Sequence, residues 1–439
     1  MNPIAQSLNQ IIESGNPHLM EMLSDMGKNL FFPKGILSQS AEAKEKAYKL
    51  NATIGIATEK GRTMYFPSVM DSICNTRPEA SITYAPSFGI PALRKAWQES
   101  LFTKNPLLSG KIISLPVTTC GITHAISMFA DMWIDPGDVI VFPDMMWGNY
   151  NMILNVKKGA VISHYPLFSA NGGFNLAAFE ETLRAEAEKH DKISVMLNFP
   201  NNPTGYSVTK EEGEHIVKIL ASIAEAGTNV IAVTDDSYFG LFYEDQVLKE
   251  SLFASLCDRH PRLLAIKLDG ATKENFVWGL RIGFITYGCR INGDPLPVYD
   301  ALERKTAGCI RGSISNASHL GQTIVLKSMQ GDHFTAEKEE KFEILQNRAL
   351  CVKKVLSDSK YKAVWDAYPF NSGYFMCIRL KTVNAETLRV HLIEKYGVGL
   401  ISIGDKDLRI AFSCLEESEI PDLFNIILQG IQDIEGRDS

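Results

Sequence analysis

Between residues 138 and 270 the chain repeats one pattern: a short, almost wholly apolar run, a turn, and a longer stretch with the apolar spacing of a helix. The apolar runs are DVIVFP (138–143), AVISHYPL (160–167), ISVMLNF (193–199), NVIAVTDD (229–236) and LLAIKLDG (263–270). LAAFEETLRAEAEKH and KEEGEHIVKILASIAEAG lie between them with amphipathic, helical periodicity. Near-continuous apolar runs, rather than alternating ones, are strands covered on both faces. Strands alternating with helices predict an α/β fold with a mostly parallel central sheet, right-handed crossovers and a ligand site at the strands' C-terminal ends.

The flanks read differently. Up to about residue 48 the pattern is helix, loop and helix, with SQSAEAKEKAYKL (38–50) a strong helix former. GIPALRKAWQESLFTK (89–104) predicts an amphipathic helix with Pro91 in its first turn. A long charged helix over about 335–356 leads into SGYFMCIRL and KDLRIAFS, two strand-like runs separated by a helix. At 439 residues the chain exceeds the usual limit of one core. The expected division is a large domain, 66–340, and a smaller discontinuous α+β domain, 1–65 with 341–439.

Lys and Arg number 44 against 51 Asp and Glu, a net charge of −7, which argues against nucleic acid as a partner. The 8 cysteines form no C-x-x-C pair or zinc-type cluster, so no metal site is expected and reduced thiols are. MNPIAQSLNQIIESGNPHLMEML reads as neither signal peptide nor membrane helix, and a cytoplasmic protein without membrane contact is the expectation. No G-x-G-x-x-G follows a strand, and P-loop, H-E-x-x-H and G-x-S-x-G motifs are missing from the sequence.

The motifs with chemical content fall where these strands end. NNPTG (201–205), TDDSY (234–238) and DGATK (269–273) each close one strand, and TTCGITHA (118–125) precedes the helical run AISMFADMWI. A small-residue turn at a helix N-terminus offers backbone N–H groups to an anion. Each motif alone has a plainer reading. NNPTG is a common turn, Lys273 a solvated loop residue, Trp147 a core residue, Asp235 a helix cap and Arg409 an edge-strand charge. Together they gather a lysine, an arginine, an acid, a tyrosine, an asparagine, an indole and an anion cradle. A lysine amine forms a Schiff base with a carbonyl compound. Pyridoxal phosphate is the aldehyde that also needs an acid at its ring nitrogen and a phosphate site. Asp235 suits that nitrogen, Tyr238 and Asn202 the ring oxygen, Trp147 the ring face and Arg281 the phosphate.

This ordered set resembles the fold-type I pyridoxal-phosphate-dependent aminotransferases of class I/II, most of all the aspartate/aromatic amino acid branch. The resemblance runs from LNATIGIATEKGRTMYFPSV (50–69) to LRIAFS (408–413). It implies that Lys273 carries the cofactor and moves the substrate proton, with Asp235 and Tyr238 as its catalytic partners. Gly121, Ile122, Thr123 and Arg281 are implied at the phosphate, Trp147 on the ring, and Asn202 and Tyr238 at the ring oxygen. Arg409 is implied at the substrate α-carboxylate, with Gly55, Trp147 and Asn202 beside the substrate. The segment TYAPSFGIPALRKA implies a homodimer in which Tyr84 reaches the partner's phosphate, and CIRGSISN implies Arg311 across the interface at a distal carboxylate. The implied reaction is ping-pong transfer of an amino group between an aspartate- or glutamate-like or aromatic amino acid and a 2-oxo acid. C–S bond cleavage or decarboxylation with the same cofactor is the alternative, and a non-catalytic effector-binding module a more distant one.

The sequence departs from the family pattern in places. Gly270 stands where a serine is usual three places before the lysine, with Thr272 the nearest hydroxyl. The doubled acid leaves a register choice; Asp235 keeps the family spacing to Tyr238, which leaves Asp236 a supporting or surface acid. His124 is unusual in the anion loop, and both a ligand contact and a plain helix-start histidine stay open. For Arg311, a substrate contact and a structural ion pair both stay open. Cys120 reads as a small packed side chain rather than a reactive thiol.

Overall fold

Seven strands form the central sheet: Val117–Thr119 (β1), Val139–Pro143 (β2), Val161–Tyr165 (β3), Lys192–Asn198 (β4), Asn229–Asp235 (β5), Leu263–Gly270 (β6) and Gly283–Gly288 (β7). The protein is seen here as a computed structural model that describes residues 1–31 and 35–436. Across the sheet the order is β1-β7-β6-β5-β4-β2-β3. The five strands read from the sequence are parallel to one another. β7, which the apolar pattern did not single out, is antiparallel to both β6 and β1. Its link to β6 holds only the short turns Ala271–Glu274 and Trp278–Leu280. That is too little helix for a parallel crossover, so the chain turns back.

Both faces of the sheet are covered, as fully apolar strands require. Along β5, Val230 and Ala232 join one core cluster while Ile231 and Val233 join the other, the period-2 alternation of a strand between two layers. Pro91–Lys104 (α1), Leu176–Ala187 (α3) and Lys210–Glu225 (α4) bury apolar residues in the first cluster, whereas Gly121–Trp133 (α2) and Leu296–Ser313 (α5) do so in the second. α4 starts on a capping box. Thr209 Oγ1 accepts from the Glu212 N–H at 3.2 Å, and the Glu212 carboxylate accepts from the Thr209 N–H at 2.8 Å. Such a cap contributes about 1 kcal/mol and fixes where the NNPTG turn gives way to helix.

The C-terminal part follows Phe334–Leu356 (α6) and holds an antiparallel sheet of Trp365–Ala367 (β8), Phe375–Leu380 (β9), Ile401–Ile403 (β10) and Asp407–Ala411 (β11), in the order β8-β9-β11-β10. Ala385–Tyr396 (α7) and Ile420–Glu435 (α8) complete it. The helix expected over 38–50 ends at Lys46 instead. Leu50–Asn51 pair in parallel with Val398–Gly399, and the Ala52 N–H donates to Gly399 O at 3.0 Å. A tertiary partner for the backbone outweighs helix propensity there. Glu42 with Arg389 at 2.9 Å further joins this early segment to the late one.

Candidate active site

The C-terminal ends of β4, β5 and β6 open on a cavity of ≈ 360 Å³ whose lining includes Gly55, Ile122, Trp147, Asp235, Lys273 and Arg281. Three glycines let its walls approach. Gly121 has φ +73, and a Cβ there would lie 2.4 Å from Arg281 Nη2. A Cβ on Gly283 would meet the Gly121 backbone at 2.6 Å, and one on Gly270 would meet Ile282 O at 2.7 Å. The lysine turn, β7 and the start of α2 therefore touch backbone to backbone. This is the physical reason for Gly270: a serine has no room opposite Gly283, its partner in the β6–β7 register. Thr272, beside it, is buried on the cavity wall with its hydroxyl unpartnered among the described residues. Arg281 adopts a left-handed backbone, φ 56, which turns its guanidinium back onto Gly121.

Lys273 lines this space. Its Nζ lies 4.7 Å from the centroid of the Tyr238 ring and forms no ion pair among the described residues. Burial lowers its pKa to about 8; Arg281 adds to the shift and Asp235 opposes it. A lysine near 8 has an appreciable neutral fraction, which a nucleophile or a base needs.

Asp235 and Asp236 answer the register question. Successive side chains leaving β5 point to opposite faces. Asp235 lines the cavity. Its carboxylate accepts from Tyr150 Oη at 2.5 Å, from Ser237 Oγ at 2.5 Å and from the Ser237 N–H at 3.1 Å. Burial raises its pKa, while these donors and the Lys273 charge pull it back. A carboxylate has about four acceptor positions, so one is left for a donor in the cavity. Burial and the adjacent Asp235 keep the Tyr150 phenol protonated. Asp236 points away, buried rather than on the surface, where it accepts from Ser251 Oγ at 2.6 Å and pairs with Lys267.

Tyr238 is buried, packed edge-on against Tyr374 and Phe375 at 5.2 and 5.6 Å. A Cβ on Gly55 would lie 3.7 Å from its hydroxyl. Arg409, on β11, is only 2% exposed yet meets no carboxylate among the described residues. It donates to Thr53 O at 2.8 Å and to Asn202 Oδ1 at 3.2 Å, stacks 4.2 Å over the Phe375 ring, and leaves its Nε unpartnered. Asn202 links it to the cavity wall. Trp147 stands on the wall edge-on to Tyr150 at 5.4 Å.

Two predicted residues are not brought here by this chain. Tyr84 is 89% exposed. Arg311 is exposed on the last turn of α5 and bonds Ser315 Oγ at 2.5 Å, without an ion pair among the described residues. His124 accepts from the Cys120 N–H instead of facing the cavity. Tyr150, Ser237 and Asn198 were not singled out from the sequence. The spacing Asp-x-Ser was the available signal for Ser237, whereas Tyr150 reaches Asp235 from the start of the helical segment Asn151–Val156, 85 residues away in the chain.

The sequence model of aminotransferase class I and II matches residues 54–427, most of the chain. The chain belongs to this family. An aspartate aminotransferase of Bacillus sp. (strain YM-2) is 25% identical over 266 residues, 61% of this chain and 64% of that protein. The match thus spans just under two thirds of that relative's length. An aspartate aminotransferase of Pyrococcus horikoshii is 22% identical over 394 residues, 87% of this chain and 92% of that one. A solved aminotransferase from Anaerococcus prevotii shares the fold, with a TM-score of 0.82 at 22% identity, covering 94% of this chain and 99% of that one. The cofactor of this aminotransferase family chain is pyridoxal phosphate. The residues present fit it: an amine in no ion pair among the described residues, an acid with one free acceptor position, an arginine against a glycine-started helix, and the Thr272 hydroxyl, unpartnered among the described residues, share one cavity.

Proposed function

We propose that the protein is a pyridoxal-phosphate-dependent aminotransferase that moves an amino group between an L-amino acid and a 2-oxo acid by a ping-pong sequence. When bound, the cofactor supplies the carbonyl carbon that receives the amino group and the electron sink for charge left at the substrate α-carbon. Arg409, already desolvated, binds the substrate α-carboxylate, with Asn202 orienting it. Lys273 Nζ takes the proton from the substrate Cα. Asp235 holds a proton at the ring nitrogen, with Tyr150 and Ser237 fixing its carboxylate. Tyr238 Oη and Asn202 donate to the ring oxygen, Trp147 covers the ring, and Gly121, Ile122, Thr123 and Arg281 take the phosphate.

Lys273 carries this reading: an unpaired lysine held at about 8 on the wall that also holds Asp235. The proposed assembly is a homodimer in the cytoplasm, built on a large domain, 66–340, and a discontinuous small one, 1–65 with 341–439. Tyr84 and Arg311 then act on the partner's site. Their segments share one surface, joined by Thr83 with His319 at 3.0 Å and Ser87 with Ser315 O at 2.7 Å. The relatives' aspartate aminotransferase names and Arg311 favour a dicarboxylate in at least one half-reaction.

The test is a single half-reaction without an oxo-acid acceptor. Aspartate or glutamate should bleach the cofactor band and release one equivalent of 2-oxo acid per site. Bleaching by aromatic amino acids alone would remove the distal-carboxylate role of Arg311. Release of ammonia or carbon dioxide would replace transamination with bond cleavage or decarboxylation.

A further inference from the structure

His124 is the fourth residue of α2, and each of its ring nitrogens is engaged. Nδ1 accepts from the Cys120 N–H at 3.1 Å, the cap residue's own amide. Nε2 meets Ser313 Oγ at 3.1 Å on the last turn of α5. Ser313 Oγ also lies 3.2 Å from Ile310 O, to which its hydroxyl can donate while it accepts from the ring. Those contacts require a neutral imidazole with its proton on Nε2. One side chain thus ties the peptide that begins the anion loop to a helix end two residues beyond Arg311.

We propose that His124 is a positioning residue of the cofactor phosphate site, one whose neutral ring sets the Thr119–Cys120 peptide, which leads into Gly121, against the end of α5. The inference rests on the phosphate assignment of Gly121 and Ile122 above. Protonation breaks the arrangement twice. An imidazolium has no acceptor for the Cys120 N–H, and it sets a positive charge in the first turn of a helix, where the dipole disfavours it. Burial holds the pKa of His124 below the usual value; Asp131 on α2 opposes, and Lys157, after the helical segment Asn151–Val156, pushes the same way as burial. Asp131 is itself paired with Lys158 at 2.5 Å. From α5 the ring meets uncharged Ser313, and Arg311 is turned to Ser315.

The test compares binding of pyridoxal phosphate and of unphosphorylated pyridoxal to protein freed of cofactor, across pH, by absorbance. The ratio of the two affinities cancels bond formation at Lys273 and reports the phosphate grip. His124→Gln can accept from Cys120 and donate to Ser313, so it should keep the ratio and lose the part of its pH dependence that belongs to the ring. His124→Phe should lower the ratio roughly fivefold across the range, the size of one lost cap bond. Nitrogen-15 shifts of the His124 ring should show the Nε2–H tautomer above its titration. A His124→Gln profile identical to wild type, or a ring protonated at Nδ1, would overturn the proposal while leaving the cofactor site intact. A wild type that does not prefer the phosphorylated form would remove the phosphate assignment and this proposal with it.

Discussion

Two lysines six residues apart experience opposite environments. Lys267, on β6, is 1% exposed and lies between two acids: it pairs with Asp236 and sits 3.7 Å from Asp269, over the Phe239 ring. Its acids outweigh burial, and its pKa is raised. Lys273, one turn past the strand end, meets an aromatic face and no ion pair among the described residues, and its pKa falls to about 8. The neighbouring acids divide the same way. Asp236 is bound to Lys267, whereas Asp235 is held by neutral donors and keeps a free acceptor position. Burial alone therefore does not mark a reactive group. What distinguishes Lys273 is burial without a contact ion pair among the described residues, which leaves its pKa perturbed, as is common at functional sites.

That contrast can be broken by substitution. Lys273→Ala should reduce transamination by at least roughly 10⁴-fold, since it removes the amine proposed both to carry the cofactor and to move the substrate proton. Thermal unfolding should stay close to that of wild type freed of cofactor. Asp235→Asn should lower kcat by roughly 10²–10³-fold with the fold retained. Asp236→Asn should leave kcat within a few-fold but cost about 1–3 kcal/mol in denaturant unfolding, because it weakens a buried charge's pairing. Lys267→Met should cost roughly 3–5 kcal/mol by stranding two buried acids, again seen in unfolding. Equal losses of activity for Asp235→Asn and Asp236→Asn would erase the distinction.

The pH dependence of stability sharpens the same comparison. For Lys273 the folded value, about 8, lies below the usual 10.5. The unfolded chain binds more protons between those values, so stability of cofactor-free protein should rise with pH over that interval. Lys273→Met should remove this rise. For Lys267 the folded value is raised, so its contribution is complete below the usual lysine range and is lost as pH climbs through the folded value. The two lysines thus give slopes of opposite sign, separable by measuring each variant against wild type.

Much of this was legible in the sequence because strand ends are where this fold class places chemistry. The five apolar runs became five parallel strands, and the order NNPTG, DDSY, TK and R placed Asn202, Asp235, Lys273 and Arg281 together. Elements set by partners were not legible. β1 is three residues long, β7 follows too closely to be read as a sheet member, and Leu50 left its predicted helix for Val398. Nor does sequence show that Gly270 is glycine because Ile282 O would lie 2.7 Å from its missing Cβ. Tyr150 holds Asp235 across 85 residues of chain, a contact without local signal. Tyr84 and Arg311 lie exposed on the surface of this chain, and their roles rest on the proposed homodimer.

The most direct test of the account is to load the protein with pyridoxal phosphate, reduce it with borohydride and map the modified peptide by mass. The account predicts one pyridoxyl group per chain, on Lys273, and none on Lys267. Modification at another lysine, or none with the cofactor demonstrably bound, would contradict it.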